Sequence, residues 1–163
     1  MIREELLHTA LIHFPIAIFS LALVFKFAEV LCLCLKKKVS YEVGIVAKAL
    51  LFIGPLFYLV SIYLGDMAFE IIKKDLCNIT LAYQHEEAAE IPIPFFLLAI
   101  VLEVLILAKV KSIKAYTSFV QGFILLSLLI GNILMFRAAH LGGEMVYDHG
   151  AGVKGYTCPK TVN

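Results

Sequence analysis

No tryptophan occurs in this chain, and charged side chains make up only 17% of it. Ordinary soluble domains carry about a quarter charged residues, so the shortage of charge excludes a water-soluble fold. The four cysteines, Cys32, Cys34, Cys77 and Cys158, include no C-x-x-C pair and no C-x-x-C-H. That excludes covalent c-type haem attachment and a thioredoxin-like centre, and the spacing suggests no disulfide framework. No nucleophile–base pair, phosphate loop or nucleotide fingerprint appears, so an enzyme is unsupported. No nucleic-acid partner is expected, and neither an internal repeat nor a low-complexity stretch stands out.

What is present is hydrocarbon: 61% of residues are hydrophobic and the mean hydropathy is +0.92. About 20 consecutive apolar residues span a bilayer core. The sequence predicts four such spans, about 11–35, 44–72, 80–110 and 116–140, with a tail at 141–163. The expectation is one all-α domain over 1–163, an integral membrane four-helix bundle with a short C-terminal extramembrane hairpin. The apolar run of the first span is too long for a signal peptide and no small-residue cleavage site follows it, so a retained helix is expected. "LAYQHEEAAE" is rich in helix formers, and Pro92 and Pro94 predict a kink beside it. "NIT" (Asn78–Thr80) matches a glycosylation sequon, a weak signal alone.

Charge sets the expected orientation. Lys36, Lys37 and Lys38 occupy the first connection and Lys109, Lys111 and Lys114 the third, while most acids lie on the other side. By the positive-inside rule the lysine-rich connections face the cytoplasm, and both termini face outward. A bacterial inner membrane is the expected location.

Threading the chain this way puts all five histidines, His8, His13, His85, His140 and His149, in the outer layer. Each alone suits a polar interface. Together, ionisable groups at membrane depth point to a site or pathway. His13, inside "LIHFPIAIF", needs a partner that a metal or haem iron would provide. His140 follows Arg137 by three residues, on the same helical face. Arg137 suits a propionate or simply snorkels to the interface. "HEEAA" after His85 lacks the second histidine of a zincin, and Glu87 and Glu90 lack carboxylate-bridged iron spacing. Asp66 and Glu70 form either a proton relay or an acidic helix end. Lys26 and Glu29 read as an intrahelical ion pair, with Glu103 as a further partner. In the tail, "HLGGEMVYDHGAGV", Gly142 and Gly143 suggest a sharp turn and a hairpin folding over the bundle mouth.

"HTALIHFPIAIF", "GDMAFE", "AYQHEEAA" and "HLGGEMVYDHGAGV" together resemble the bacterial membrane family of the domain of unknown function 2231, over essentially the whole chain. The resemblance implies a four-helix integral membrane protein, without an established activity. Its recurrent histidines fall on His13, His85, His140 and His149, and some members are joined to c-type cytochrome domains. By analogy that favours redox work.

Three functions follow as expectations. The first is a membrane b-type haem protein for electron transfer. His13, His85, His140 and His149 would be its ligands, Arg137 or Lys73 would hold propionates, and a cytochrome c or quinol would exchange electrons. The second is a copper or zinc binding or transport protein using His140, Met145, His149 and Cys158. The third is an accessory subunit of a larger respiratory or photosynthetic membrane complex.

Overall fold

The computed structural model describes residues 4–38 and 41–158. Among the described residues six helices form four membrane-length rods: α1 (Glu5–Leu11) with α2 (His13–Cys34), α3 (Tyr41–Ile72), α4 (Ile79–Glu90) with α5 (Ile93–Leu107), and α7 (Thr117–Tyr147). The one-turn α6 (Lys111–Lys114) joins α5 to α7. All described regular structure is helical, so the all-α membrane bundle holds. The rods carry exposed Leu, Phe, Ile and Val around their outer surface, as a helix facing lipid tails on one side must.

Two rods are broken near their starts for the same reason. Pro15 and Pro92 lack the N–H that would reach back to Leu11 and Ala88, and the ring crowds that carbonyl. The chain turns at Ile12 in one case and at Ile91–Pro92 in the other. Asn78 caps α4, its Oδ1 accepting from the Leu81 amide at 3.0 Å, which satisfies one orphan donor of the first turn.

The two breaks belong to an internal repeat, which corrects the expectation of none. His8 and His85, Pro15 and Pro92, Phe19 and Phe96, Ala22 and Ala99, Gly54 and Gly131, and Gly65 and Gly142 all stand 77 positions apart, as do Lys26 and Glu103. The bonds repeat too. His8 Nδ1 donates to the Ser61 carbonyl and His85 Nδ1 to the Ala138 carbonyl, each at 2.9 Å and each across 53 residues. In both halves the first rod packs on the second, α1 and α2 on α3, α4 and α5 on α7.

Equivalent residues also touch each other. Phe19 and Phe96 stack with ring centres 3.7 Å apart and planes 5° apart. His8 meets His85 with centres 6.2 Å apart, and Lys26 Nζ donates to Glu103 Oε2 at 2.7 Å. An approximate two-fold axis therefore runs down the bundle through these three pairs. Since both halves start at the same end, the axis lies along the membrane normal, the arrangement of a parallel repeat.

Close approach at the axis requires glycine. A Cβ on Gly54 would lie 2.7 Å from the Phe19 ring, and one on Gly131 would lie 2.6 Å from the Phe96 ring. The core built around that stack includes Leu51, Tyr58, Ala99, Ile124, Leu128 and Met135.

The C-terminal hairpin is not formed where the sequence placed it. α7 runs through Gly142 and Gly143 to Tyr147. The turns come later, at Gly150, Gly152 and Gly155, with φ of 63°, 72° and 80°. The cysteine expectation is also corrected: Cys77, just before α4, is disulfide-bonded to Cys158 in the tail. Their separation of 81 residues hides a pairing that the fold makes close.

Candidate functional site

The repeat delivers two imidazoles to the axis at one end of the bundle. α1 carries His8 and α4 carries His85, and each side chain crosses to the neighbouring long helix of its own half. There Nδ1–H donates to a carbonyl, Ser61 O or Ala138 O. That bond fixes the ring orientation, and in a neutral imidazole it leaves Nε2 as the acceptor nitrogen. It is the arrangement by which proteins orient a histidine for metal ligation.

One turn beyond each accepting carbonyl stands the glycine that makes room. A Cβ on Gly65 would come within 3.1 Å of His8 Cε1, and one on Gly142 within 3.0 Å of His85 Cε1. Gly142 is thus kept for close approach of a side chain rather than for a turn.

The imidazoles line a cavity of about 440 Å³ between the two halves. Tyr58, Ser61, Met135 and Ala138 form its inner part, and Met145, Val146, Ala151 and Gly152 line it from the end of α7 and the tail. Packing at this level is mainly within halves, α1 on α3 and α4 on α7, so the space between them is a slot. Tyr58 Oη–H donates to the Ala89 carbonyl at 2.6 Å, pinning α3 to the break before α5. Glu5, Asp66, Glu86 and Glu90 also line the cavity, and no lysine or arginine does among the described residues. The Ser61 hydroxyl, on a residue only 2% exposed, finds no hydrogen-bond partner among the described residues.

Of the histidines singled out in the sequence, His85 and His13 line this cavity. His13 is exposed at the first position of α2, and its counterpart in the repeat is Glu90. His140, exposed on α7, and His149, half-buried after it, are not among the lining residues. Arg137 faces elsewhere, into a smaller pocket of about 300 Å³ with Gln84, Glu87 and Leu141. The partner of His85 is His8, which the sequence reading left outside the ligand set. The 77-residue spacing was the signal that pairs His8, rather than His13, with His85.

No three or more His, Cys, Asp or Glu among the described residues converge to hold a metal ion. The copper or zinc set loses a member outright, because Cys158 is bonded to Cys77 and has no thiolate to offer.

At the other end of the bundle lies a second polar cluster, which the sequence anticipated in part. Lys26, 1% exposed, donates from Nζ to Glu29 Oε2 at 2.8 Å, Glu103 Oε2 at 2.7 Å and Gln121 Oε1 at 2.6 Å. All three ammonium protons are thereby used. Lys48 Nζ sits 3.5 Å from Glu29 Oε1 and 3.8 Å from Glu103 Oε1. Two cations and two carboxylates balance, as a buried cluster requires.

Four membrane-length rods, a pair of oriented histidines on the bundle axis and a buried ion cluster make an integral membrane bundle with a histidine-lined cavity. The chain matches the family model described as "Predicted membrane protein (DUF2231)" over residues 5–155, and it belongs to that family. No curated protein and no solved structure matches it.

Proposed function

We propose that the protein is a membrane b-type haem protein for electron transfer, with His8 and His85 as the two axial ligands. The observation that carries this reading is the imidazole pair. Two oriented imidazoles brought from opposite halves to one axis would offer a haem iron the two protein ligands of a bis-histidine site. The His8 and His85 centres are 6.2 Å apart.

Coordination number favours haem over a bare ion. A bare copper or zinc ion would find two donors here and lack the others. A haem iron brings four nitrogens of its own and needs two axial ligands. The slot between halves suits a flat group, and Gly65 and Gly142 let both imidazoles reach the axis. When bound, haem supplies a one-electron couple.

The chain's own residues do the rest. Ser61 O and Ala138 O fix the two imidazoles, which in the neutral rings leaves Nε2 as the acceptor. The apolar walls exclude water and lower the local dielectric. No lysine or arginine among the described lining residues would neutralise the carboxylates of a haem. The acids around the cavity suit a cationic or neutral redox partner, a cytochrome c or a quinol.

The same reading places the histidine end outside the plasma membrane of a bacterium, with both termini there. Two things support it: the lysines in the opposite connections, and a disulfide at the histidine end, which persists in an oxidising compartment.

The test is a reduced-minus-oxidised spectrum of protein purified in detergent with haem supplied during expression. A b-type α band at one haem per chain is expected. It should vanish in His8→Ala and in His85→Ala and persist in His140→Ala. Persistence of the band in His8→Ala, or no band in the parent protein, would overturn the assignment.

A further inference from the structure

The outer surfaces of the two halves differ at one place near the histidine end. Arg137 directly precedes Ala138, whose carbonyl holds His85, so it stands level with the imidazole pair. It is exposed and lines the pocket of about 300 Å³ between α4 and α7, to which α4 contributes Gln84 and Glu87. By the 77-residue offset these three correspond to Val60, Leu7 and Ala10. The first half thus presents hydrocarbon where the second presents a guanidinium, an amide and a carboxylate. All three polar residues are exposed, so the change does not serve the contact between the halves.

The setting is one that lipid covers. Ile133, one turn before Arg137 on the same face, is 60% exposed, and Val60 in the other half is 38% exposed. α7 continues from Arg137 to Tyr147, about 15 Å farther along the helix. A charge at such a position is costly without a partner. Among the described residues the Arg137 side chain has no ion pair, and neither does the Glu87 carboxylate in the same pocket. Both charges stay open to a ligand that carries their opposites.

We propose that this pocket binds the headgroup of an aminophospholipid, its phosphate on Arg137 and its primary ammonium on Glu87 and Gln84. A guanidinium matches a phosphate through charge-assisted hydrogen bonds. The carboxylate beside it disfavours a purely anionic headgroup and favours one with an ammonium. A lipid already holds its headgroup at the membrane surface, within reach of a side chain that extends toward the interface.

Native mass spectrometry of the full-length protein in detergent, with lipid added, tests this and needs no haem. One phosphatidylethanolamine should be retained per chain, about ten-fold more tightly than phosphatidylcholine or phosphatidylglycerol. Arg137→Val and Glu87→Ala copy the first half's own residues. The former should weaken retention about ten-fold, and the latter should erase the preference among the three lipids. Arg137→Gln, which keeps a polar side chain, repeats the test should the apolar variant not fold. Undiminished retention in the Arg137 variants, or equal binding of the three lipids to the parent protein, would overturn the assignment. Displacement of the lipid by inorganic phosphate would overturn it as well, since the pocket would then take a soluble anion.

Discussion

The two halves agree at the histidine end and diverge at the lysine end. Residues 5–72 and 79–147 repeat His, Pro, Phe, Ala and Gly at the same spacing, down to the carbonyl that each imidazole finds. Further along, Lys26 faces Glu103, Gly44 corresponds to Gln121 and Lys48 to Leu125. Like charges at equivalent positions would repel across the axis; opposite ones attach the halves. α2 also packs far more closely on α7 than α5 does on α3.

The short membrane helices show the same divergence. α2 and α5 both end in a Schellman motif with a lysine in the left-handed conformation, Lys36 (φ 53°) and Lys109 (φ 52°). Lys37 N–H reaches the Cys32 carbonyl and Val110 N–H the Leu105 carbonyl, the six-to-one bond of that cap. By the repeat offset Lys36 corresponds to Ile113, so α5 stops about one turn early. Symmetry is kept around the imidazole pair and the ring stack and dropped at the lysine end, where opposite charges fasten the halves.

The comparison can be broken at several places. Lys26→Met should cause the largest loss of stability, about 3–5 kcal/mol, because it strands buried carboxylates. The exchange Lys26→Glu with Glu103→Lys should recover much of it, since both residues sit on the axis. Thermal unfolding in detergent checks both, and failure of the exchange to recover anything would deny the axis. Next come Gly54→Ala and Gly131→Ala, each expected to destabilise by about 1–3 kcal/mol through overpacking against a stacked ring that cannot retreat. Similar costs in the two halves sharpen the repeat; a cost in one alone blurs it. Smallest are Lys36→Gly and Lys109→Gly, which should stabilise by about 1 kcal/mol each by relieving a left-handed non-glycine residue, measured the same way.

The four rods and the gathering of histidines at one end were legible because hydrophobicity is summed over many residues. The break at Pro92 was legible too, since proline acts locally. The repeat was not, because its identities stand singly among Leu, Ile and Val that would match in any membrane helix. His13 looked the stronger ligand from its apolar neighbours, yet at the start of α2 it is exposed, while His8, one turn earlier, turns inward. Gly142 looked like a turn residue because sequence cannot distinguish a glycine that bends the chain from one that admits His85. The disulfide lay beyond reach for a similar reason: it joins segments that only the folded bundle brings together.

The stacked rings of Phe19 and Phe96, both almost wholly buried, lie on the axis between the imidazole pair and the ion cluster. Each half lends one ring to that stack, so neither half completes its own core without the other.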